Sequence, residues 1–85
     1  MTDRERRIAE EIVRLAREEL GFRGPLEVAS APLSGQLDSL VLLSLVVAVE
    51  DRFRVALADD DAATTRTLED LARLVATRAA PEVLP

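Results

Sequence analysis

Apolar residues near the N-terminus recur every three or four positions, from Ile8 to Leu20, which is the period of an amphipathic helix. Thr2 and Glu5 have the spacing of a capping box, in which each residue satisfies a free backbone N–H of the other. The pattern therefore predicts a first helix that begins at Thr2. Gly21 is placed to end it, because glycine accepts the left-handed conformation of a helix C-terminus.

Glycine and proline interrupt residues 21–37, which are predicted to form a long loop. A loop of this length is uncommon in a small domain and is often functional. Asp38 or Ser39 can cap a second helix, which is predicted to end at about Phe53 or Arg54. This helix is almost wholly aliphatic. Its predicted inner face consists of Leu40, Leu43, Val46 and Phe53, with Leu45 and Val49 beside them.

Three aspartates, Asp59 to Asp61, precede two alanines and indicate a short helix or turn with an acidic start. Thr67, with Asp70 three residues later, is the expected start of a last helix. We predict an all-α protein, a small four-helix bundle of three main helices and one short helix, with a long first loop. Residues 1–85 form a single domain in this interpretation, with a core from about residue 3 to 79 and a loose tail over 80–85.

The residue types that are missing exclude most catalytic chemistry. The 85-residue chain has no His, Cys, Lys, Tyr or Trp, so the usual general base, thiol nucleophile and Schiff-base amine are absent. A small hydrolase that used Ser39 would lack a base to activate the hydroxyl. No catalytic residue is expected. No metal site is expected either, since Asp59, Asp60 and Asp61 lack the glycine and distant glutamate of a calcium loop.

The formal net charge is −5, and the acidity is concentrated in the middle of the chain. Nine acidic residues and three arginines lie between Glu27 and Asp70. This charge argues against nucleic acid and anionic membrane as partners and favours a protein with a basic docking surface. The N-terminus has no apolar signal-peptide core, and the ten residues from Leu40 to Val49 are too few to cross a bilayer. A cytoplasmic monomer is expected.

The tripeptide Asp38-Ser39-Leu40 at the start of the second helix resembles the attachment motif of the acyl carrier protein family. The acidic ending of that helix, Glu50 and Asp51 before Phe53, is similar to the family's second helix. The stretch "LADDDAATTRTLEDLARLV" is similar to its acidic third-helix region and the start of its fourth helix. The resemblance covers about residues 5 to 78.

The resemblance implies that Ser39 carries 4′-phosphopantetheine, joined to its hydroxyl by a phosphodiester and derived from CoA. Asp38 would help to position metal and serine in the transferase complex, or would serve only as the helix cap. The implied partners are a phosphopantetheinyl transferase, an adenylating ligase or acyltransferase that loads the arm, and downstream biosynthetic enzymes. The reactive group is then supplied by the cofactor, which agrees with the missing catalytic residue types.

The chain departs from the family on the predicted outer face of the second helix, where fatty-acid carriers are typically acidic. Outward positions here are Val41, Leu42, Ser44, Val47 and Ala48, which either form an apolar docking strip or are covered by the first loop. The full predicted partner-binding set is Val41, Leu42, Ser44, Val47, Ala48, Glu50, Asp51, Asp59, Asp60 and Asp61.

Leu37 before Asp38 gives "LDSL", which resembles discrete carriers of specialised pathways and of D-alanine loading systems. We therefore expect a stand-alone carrier in secondary metabolism. The alternative is an unmodified carrier-like bundle that acts only as a protein-interaction module. The intact Asp-Ser-Leu motif favours the carrier, because a module without the arm does not need the serine hydroxyl.

Overall fold

The computed structural model describes residues 1–28, 31–58, 60–61 and 64–84. Four α-helices are present in this part of the chain: α1 (Asp3–Glu18), α2 (Leu33–Gln36), α3 (Ser39–Phe53) and α4 (Leu68–Arg78). A short 3-10 helix, Pro81–Val83, follows α4. The described residues contain no strand, and the prediction of an all-α bundle with three long helices is confirmed.

The predicted N-terminal caps are present at α1 and α4. The Thr2 side chain accepts from the Glu5 backbone N–H at 3.1 Å, and Glu5 Oε1 accepts from the Thr2 N–H at 3.0 Å. Thr67 and Asp70 form the same reciprocal box at the start of α4. Each box satisfies two backbone donors that a helix start would otherwise leave without partners.

The long helices also end where the sequence indicates. Gly21, just beyond α1, has φ +70°, a conformation that glycine adopts without strain. Arg54 caps α3 with φ 56°, and its N–H donates to the Glu50 carbonyl. Both helices therefore end at or shortly before a residue in the left-handed conformation.

The core lies between α1, α3 and α4, and the most extensive helix pairing is that of α1 with α4. Ile8, Ile12 and Leu15 of α1 are almost fully buried, as are Leu68 and Val75 of α4. From α3 the fully buried residues are Leu45, Val49 and Phe53.

The predicted inner face of α3 was wrong for two residues. Leu40 is 74% exposed and Leu43 is 62% exposed. At about 100° per residue, Leu40 lies about 140° round the helix from the buried Phe53. An all-aliphatic segment carries no polar residues to mark its outer side, so the sequence pattern left the rotation of this helix undetermined.

Three residues predicted to point outward from α3 instead pack against the core. Val41, Leu42 and Ala48 are partly buried there, whereas Val47 is half exposed. Ser44 is only partly exposed. The outer face of α3 is therefore rotated from the predicted one and is carried by Leu40, Leu43 and Val47.

The long first connection is more ordered than a simple loop. It contains the short helix α2, and the Gln36 side chain accepts from the Glu27 N–H and donates to the Ala31 carbonyl at 3.0 Å. Leu33 N–H donates to the Arg66 carbonyl at 2.8 Å, which ties α2 to the segment before α4. Leu33 is buried, and Leu26 and Val28 pack on the core.

The short helix was predicted in the acidic region, but a short helix, α2, also lies at 33–36. Asp60 and Asp61 have 3-10 conformation, while Asp59, Ala62 and Ala63 lie outside the described residues.

The predicted tail, residues 80–85, makes contacts with the helices through two of its described residues. The Val83 carbonyl accepts from Arg52 Nη1 at 2.9 Å, and Val83 and Leu84 pack against the core. Arg52 Nε also donates to Glu11 Oε2 at 2.7 Å, so one guanidinium joins α1, α3 and the C-terminal segment.

Glu11 holds this network together. Its Oε1 accepts from Arg14 Nε at 2.6 Å, and its side chain is 14% exposed. The hydrogen bonds from Arg14 and then Arg52 outweigh the effect of burial and lower the pKa of Glu11 from 4.5 to about 2. The unfolded chain therefore binds more protons than the folded chain between these two values, so stability falls as pH falls through this window.

Glu11→Gln is expected to lower the free energy of unfolding near neutral pH by about 1–3 kcal/mol, the range for hydrogen bonds to charged groups. The deficit should shrink between about pH 4.5 and pH 2, because wild-type Glu11 becomes protonated there. Urea unfolding across this pH range measures it. Glu18→Gln, at an exposed residue 3.5 Å from Arg14, is the control. An equal, pH-independent loss in both variants would contradict the role given to Glu11.

Phe53→Ala is expected to destabilise the fold by about 3–5 kcal/mol, because a fully buried aromatic ring would leave a cavity. A loss of this size is a large part of the stability of a small domain. Phe22→Ala is the matched control, since that ring is only partly buried at the edge of the core. Urea unfolding followed by circular dichroism compares the two. Equal losses would show that Phe53 is not the centre of the core.

Candidate functional site

Ser39 is the first residue of α3, and it is exposed. Asp38 directly before it is the N-cap, and its Oδ1 accepts from the Val41 N–H at 2.9 Å. The Asp38 carbonyl accepts from the Leu42 N–H at 2.9 Å. The cap therefore fixes the backbone around Ser39 without using the serine hydroxyl, which stays accessible.

This position suits a phosphodiester. The N–H groups of Ser39 and Leu40 are in the first turn of a 15-residue helix, where backbone donors and the positive end of the helix dipole favour an anion. Asp38 satisfies one donor of that turn, Val41 N–H. The residues present thus fit covalent 4′-phosphopantetheine: Ser39 would hold the phosphodiester, and Asp38 keeps the helix start in place.

An apolar groove begins one turn below Ser39. Leu42, Leu43 and Val46 line it, and they follow Ser39 at the i+3, i+4 and i+7 positions of one helix face. The groove has a volume of about 710 Å³. Its other lining residues come from three further segments: Pro32, Leu33, Ser34, Leu57, Ala58, Asp61, Thr65, Arg66, Leu71 and Leu74. The groove therefore begins on the face of α3 that carries Ser39.

An ion pair holds one wall of the groove. Arg78 donates to both carboxylate oxygens of Asp61, at 2.6 and 2.8 Å, and to the Ala56 carbonyl at 3.2 Å. The Arg78 hydrogen bond, followed by one from the Ala58 N–H, lowers the pKa of Asp61. Asp61 therefore stays ionised and fastens the segment after α3 to α4.

The outer face of α3 carries the exposed strip, which we define as Leu40, Leu43 and Val47. These residues are spaced by three and four positions, so they adjoin along one side of the helix. Asp51 continues the same side and is exposed. An apolar strip that starts beside Ser39 and ends at an acidic residue is the type of surface that proteins use for docking.

The acidic residues predicted to bind partners are in different situations. Glu50 Oε2 accepts from the Leu57 N–H at 2.9 Å and so holds the chain that leaves α3. Asp61 is paired with Arg78. Asp51 and Asp60 are exposed, and Asp59 lies outside the described residues. Of the predicted acidic residues that the structure describes, Asp51 and Asp60 are thus the two with exposed carboxylates.

The prediction from sequence missed the groove and the exposure of Leu40 and Leu43. Phe53 could have revealed the exposed strip. It is the one large aromatic residue of α3 and marks the buried face, so the opposite face is the exposed one. Arg66 on the groove rim was also missed, since nothing local in the sequence relates it to Ser39.

The described residues contain no group of three or more acidic, histidine or cysteine side chains arranged to bind a metal ion. None of the helices formed by them is long and apolar enough to span a membrane.

Comparison with protein families gives one match. The family model described as "phosphopantetheine attachment site" matches residues 10–75, which include Asp38, Ser39 and all of α3. No curated protein and no solved structure matches the chain. The family binds 4′-phosphopantetheine covalently and includes the acyl carrier proteins. Because the match covers more than half of the chain, on a helical bundle with an exposed serine at a helix start, this chain belongs to the phosphopantetheine-binding acyl carrier protein family.

Proposed function

We propose that this protein holds acyl or aminoacyl groups as thioesters on a 4′-phosphopantetheine arm joined to Ser39 and presents them to partner enzymes. The observation that carries the proposal is the exposed Ser39 hydroxyl at the first residue of α3, beside a groove on the same helix face. The chain supplies position and the arm supplies the thiol, so no catalytic residue of its own is required.

At phosphorus the attachment step forms one bond and breaks one, and the proton of the Ser39 hydroxyl passes to a base that the transferase or water supplies. Ser39 Oγ loses its proton and forms a bond to the phosphorus of CoA that bears the pantetheine, and adenosine 3′,5′-bisphosphate leaves. A transferase performs this step. The primary hydroxyl has little steric shielding at its exposed position.

The finer assignment is a stand-alone carrier of a specialised pathway, loaded by an adenylating ligase or an acyltransferase. Two sequence features support it. Leu37 stands before the attachment motif, and no acidic residue stands at the α3 positions where fatty-acid carriers are typically acidic, which here are Val41, Leu42, Ser44, Val47 and Ala48. Partners are expected to contact the exposed strip and, at its ends, Asp38 and Asp51.

Intact-mass measurement tests the proposal. The folded protein is incubated with CoA, magnesium and a broad-specificity phosphopantetheinyl transferase, and a sample without transferase is the control. A mass gain of one phosphopantetheine is expected. If several unrelated transferases leave the folded protein unmodified, the carrier function is wrong and an unmodified interaction module is favoured.

A further inference from the structure

Arg66 lies on the rim of the apolar groove, and its charge has no partner in the described part of the chain. The side chain is exposed, and no hydrogen bond or ion pair of its guanidinium is found among those residues. Its backbone is fixed on both sides: the N–H donates to Asp70 Oδ2 at 3.1 Å, and the carbonyl accepts from the Leu33 N–H. The guanidinium is thus attached to a rigid point and is available to a ligand.

The other charged residue that lines the groove is Asp61. Its carboxylate is neutralised by Arg78 through two hydrogen bonds. Of the two charged residues that line the groove, Arg66 is therefore the one whose charge is not paired among the described residues, and the nearby Asp70 is paired with Arg73. An anionic group in the groove would meet attraction from Arg66 and little repulsion from Asp61.

Arg66 is tied to the segment that leads into the attachment point. Its carbonyl is bonded to Leu33 of α2, and α2 ends three residues before Ser39. The apolar side chains of Leu42, Leu43 and Val46 continue from there along α3. An acyl group with an aliphatic chain and a terminal carboxylate would match this groove. The chain would contact the apolar lining, and the carboxylate would pair with Arg66, since a guanidinium binds carboxylate through two parallel hydrogen bonds.

We infer that the groove selects acyl groups that carry a free carboxylate, which pairs with Arg66. The inference rests on the proposed function, because the acyl group must first be attached through Ser39.

The test compares two cargoes that differ only in charge. The protein is loaded by the transferase from adipyl-CoA or from the CoA thioester of adipic acid monomethyl ester. The first readout is the rate at which hydroxylamine cleaves the thioester, which falls when the acyl group is held against the protein. The second is the pKa of the ¹³C-labelled terminal carboxyl, measured by NMR.

In wild type, hydroxylamine is expected to cleave the adipyl thioester about two- to fivefold more slowly than the methyl ester cargo, the effect of a partly exposed ion pair. The pKa of the terminal carboxyl of the adipyl group is expected to be lowered. Arg66→Gln should abolish both effects and keep the fold, because the bonds of Arg66 are made by its backbone. Arg23→Gln, at an exposed arginine outside the groove, should leave both unchanged. High salt should weaken the protection.

Equal protection of the two cargoes in wild type would overturn the inference. So would Arg66→Gln if it changed the protection of the adipyl thioester and of the methyl ester thioester equally. The second result would place Arg66 on the phosphodiester of the arm. These outcomes require loaded protein, so they differ from a failure of the proposed function, in which Ser39 is never loaded and both proposals fall.

Discussion

Ser39→Ala is expected to abolish the mass gain from CoA and transferase completely. The alanine removes the only group that can form the phosphodiester at this position, and it leaves the helix start intact. Asp38, which accepts the Val41 N–H, still caps α3. Circular dichroism of the variant should therefore match that of wild type, so that a loss of modification reports on the hydroxyl alone.

Two other serines are matched controls for this experiment. Ser34 is exposed on α2 and lines the groove, and Ser44 is partly exposed on α3. Neither is the first residue of a long helix. Ser34→Ala and Ser44→Ala should both be modified as fully as wild type. If Ser39→Ala still gains the arm, the attachment site is elsewhere. The position of the groove beside Ser39 would then have no relation to the arm.

Val47→Asp is expected to lower the kcat/KM of the transferase for the apo protein by tenfold or more, the range for a residue at the centre of an interface. Val47 is half exposed in the middle of α3 and does not line the groove. A carboxylate there would lose its water on docking without gaining a partner. Thermal unfolding should change little, because the side chain is not part of the core.

The control for charge is Thr77→Asp, which adds the same carboxylate at an exposed residue of α4. It should leave kcat/KM within about twofold, as expected for a site outside an interface. The comparison also separates apolar docking from charge steering, since steering weakens strongly with salt. A steep loss of rate at high salt, with no effect of Val47→Asp, would show that acidic residues guide the partner and that the exposed strip does not.

Helix starts could be predicted from this sequence because their signals are local. Thr2 with Glu5 and Thr67 with Asp70 each lie within one turn, and the structure has both boxes. The start of α3 at Ser39 was predicted for the same reason. The rotation of α3 was not, because every side of that helix offers aliphatic residues and burial alone decides which are inside. Leu40 and Leu43 were therefore placed on the wrong face.

The same distinction applies to the candidate site, where the local part could be predicted from the sequence and the long-range part could not. The position of Ser39 at a helix N-terminus depends on two adjacent residues, so the sequence was sufficient for it. The groove depends on Leu33, Leu43, Leu57 and Leu74, which come from four separate segments and meet only in the folded chain. The Asp61–Arg78 pair joins residues 17 positions apart. The periodicity of apolar and polar residues does not encode contacts between such distant segments.

The pairing of α1 with α4 has a consequence for synthesis on the ribosome. Helix α1 emerges before α4 and packs most extensively against it, so its apolar face stays without its main partner until residues 68–78 have left the exit tunnel. Contacts this distant in sequence close late and at an entropic cost. A nascent chain that ends before Leu68 would expose Ile8, Ile12 and Leu15 to chaperones. Productive folding, and with it modification by the transferase, is therefore expected only after α4 has left the exit tunnel.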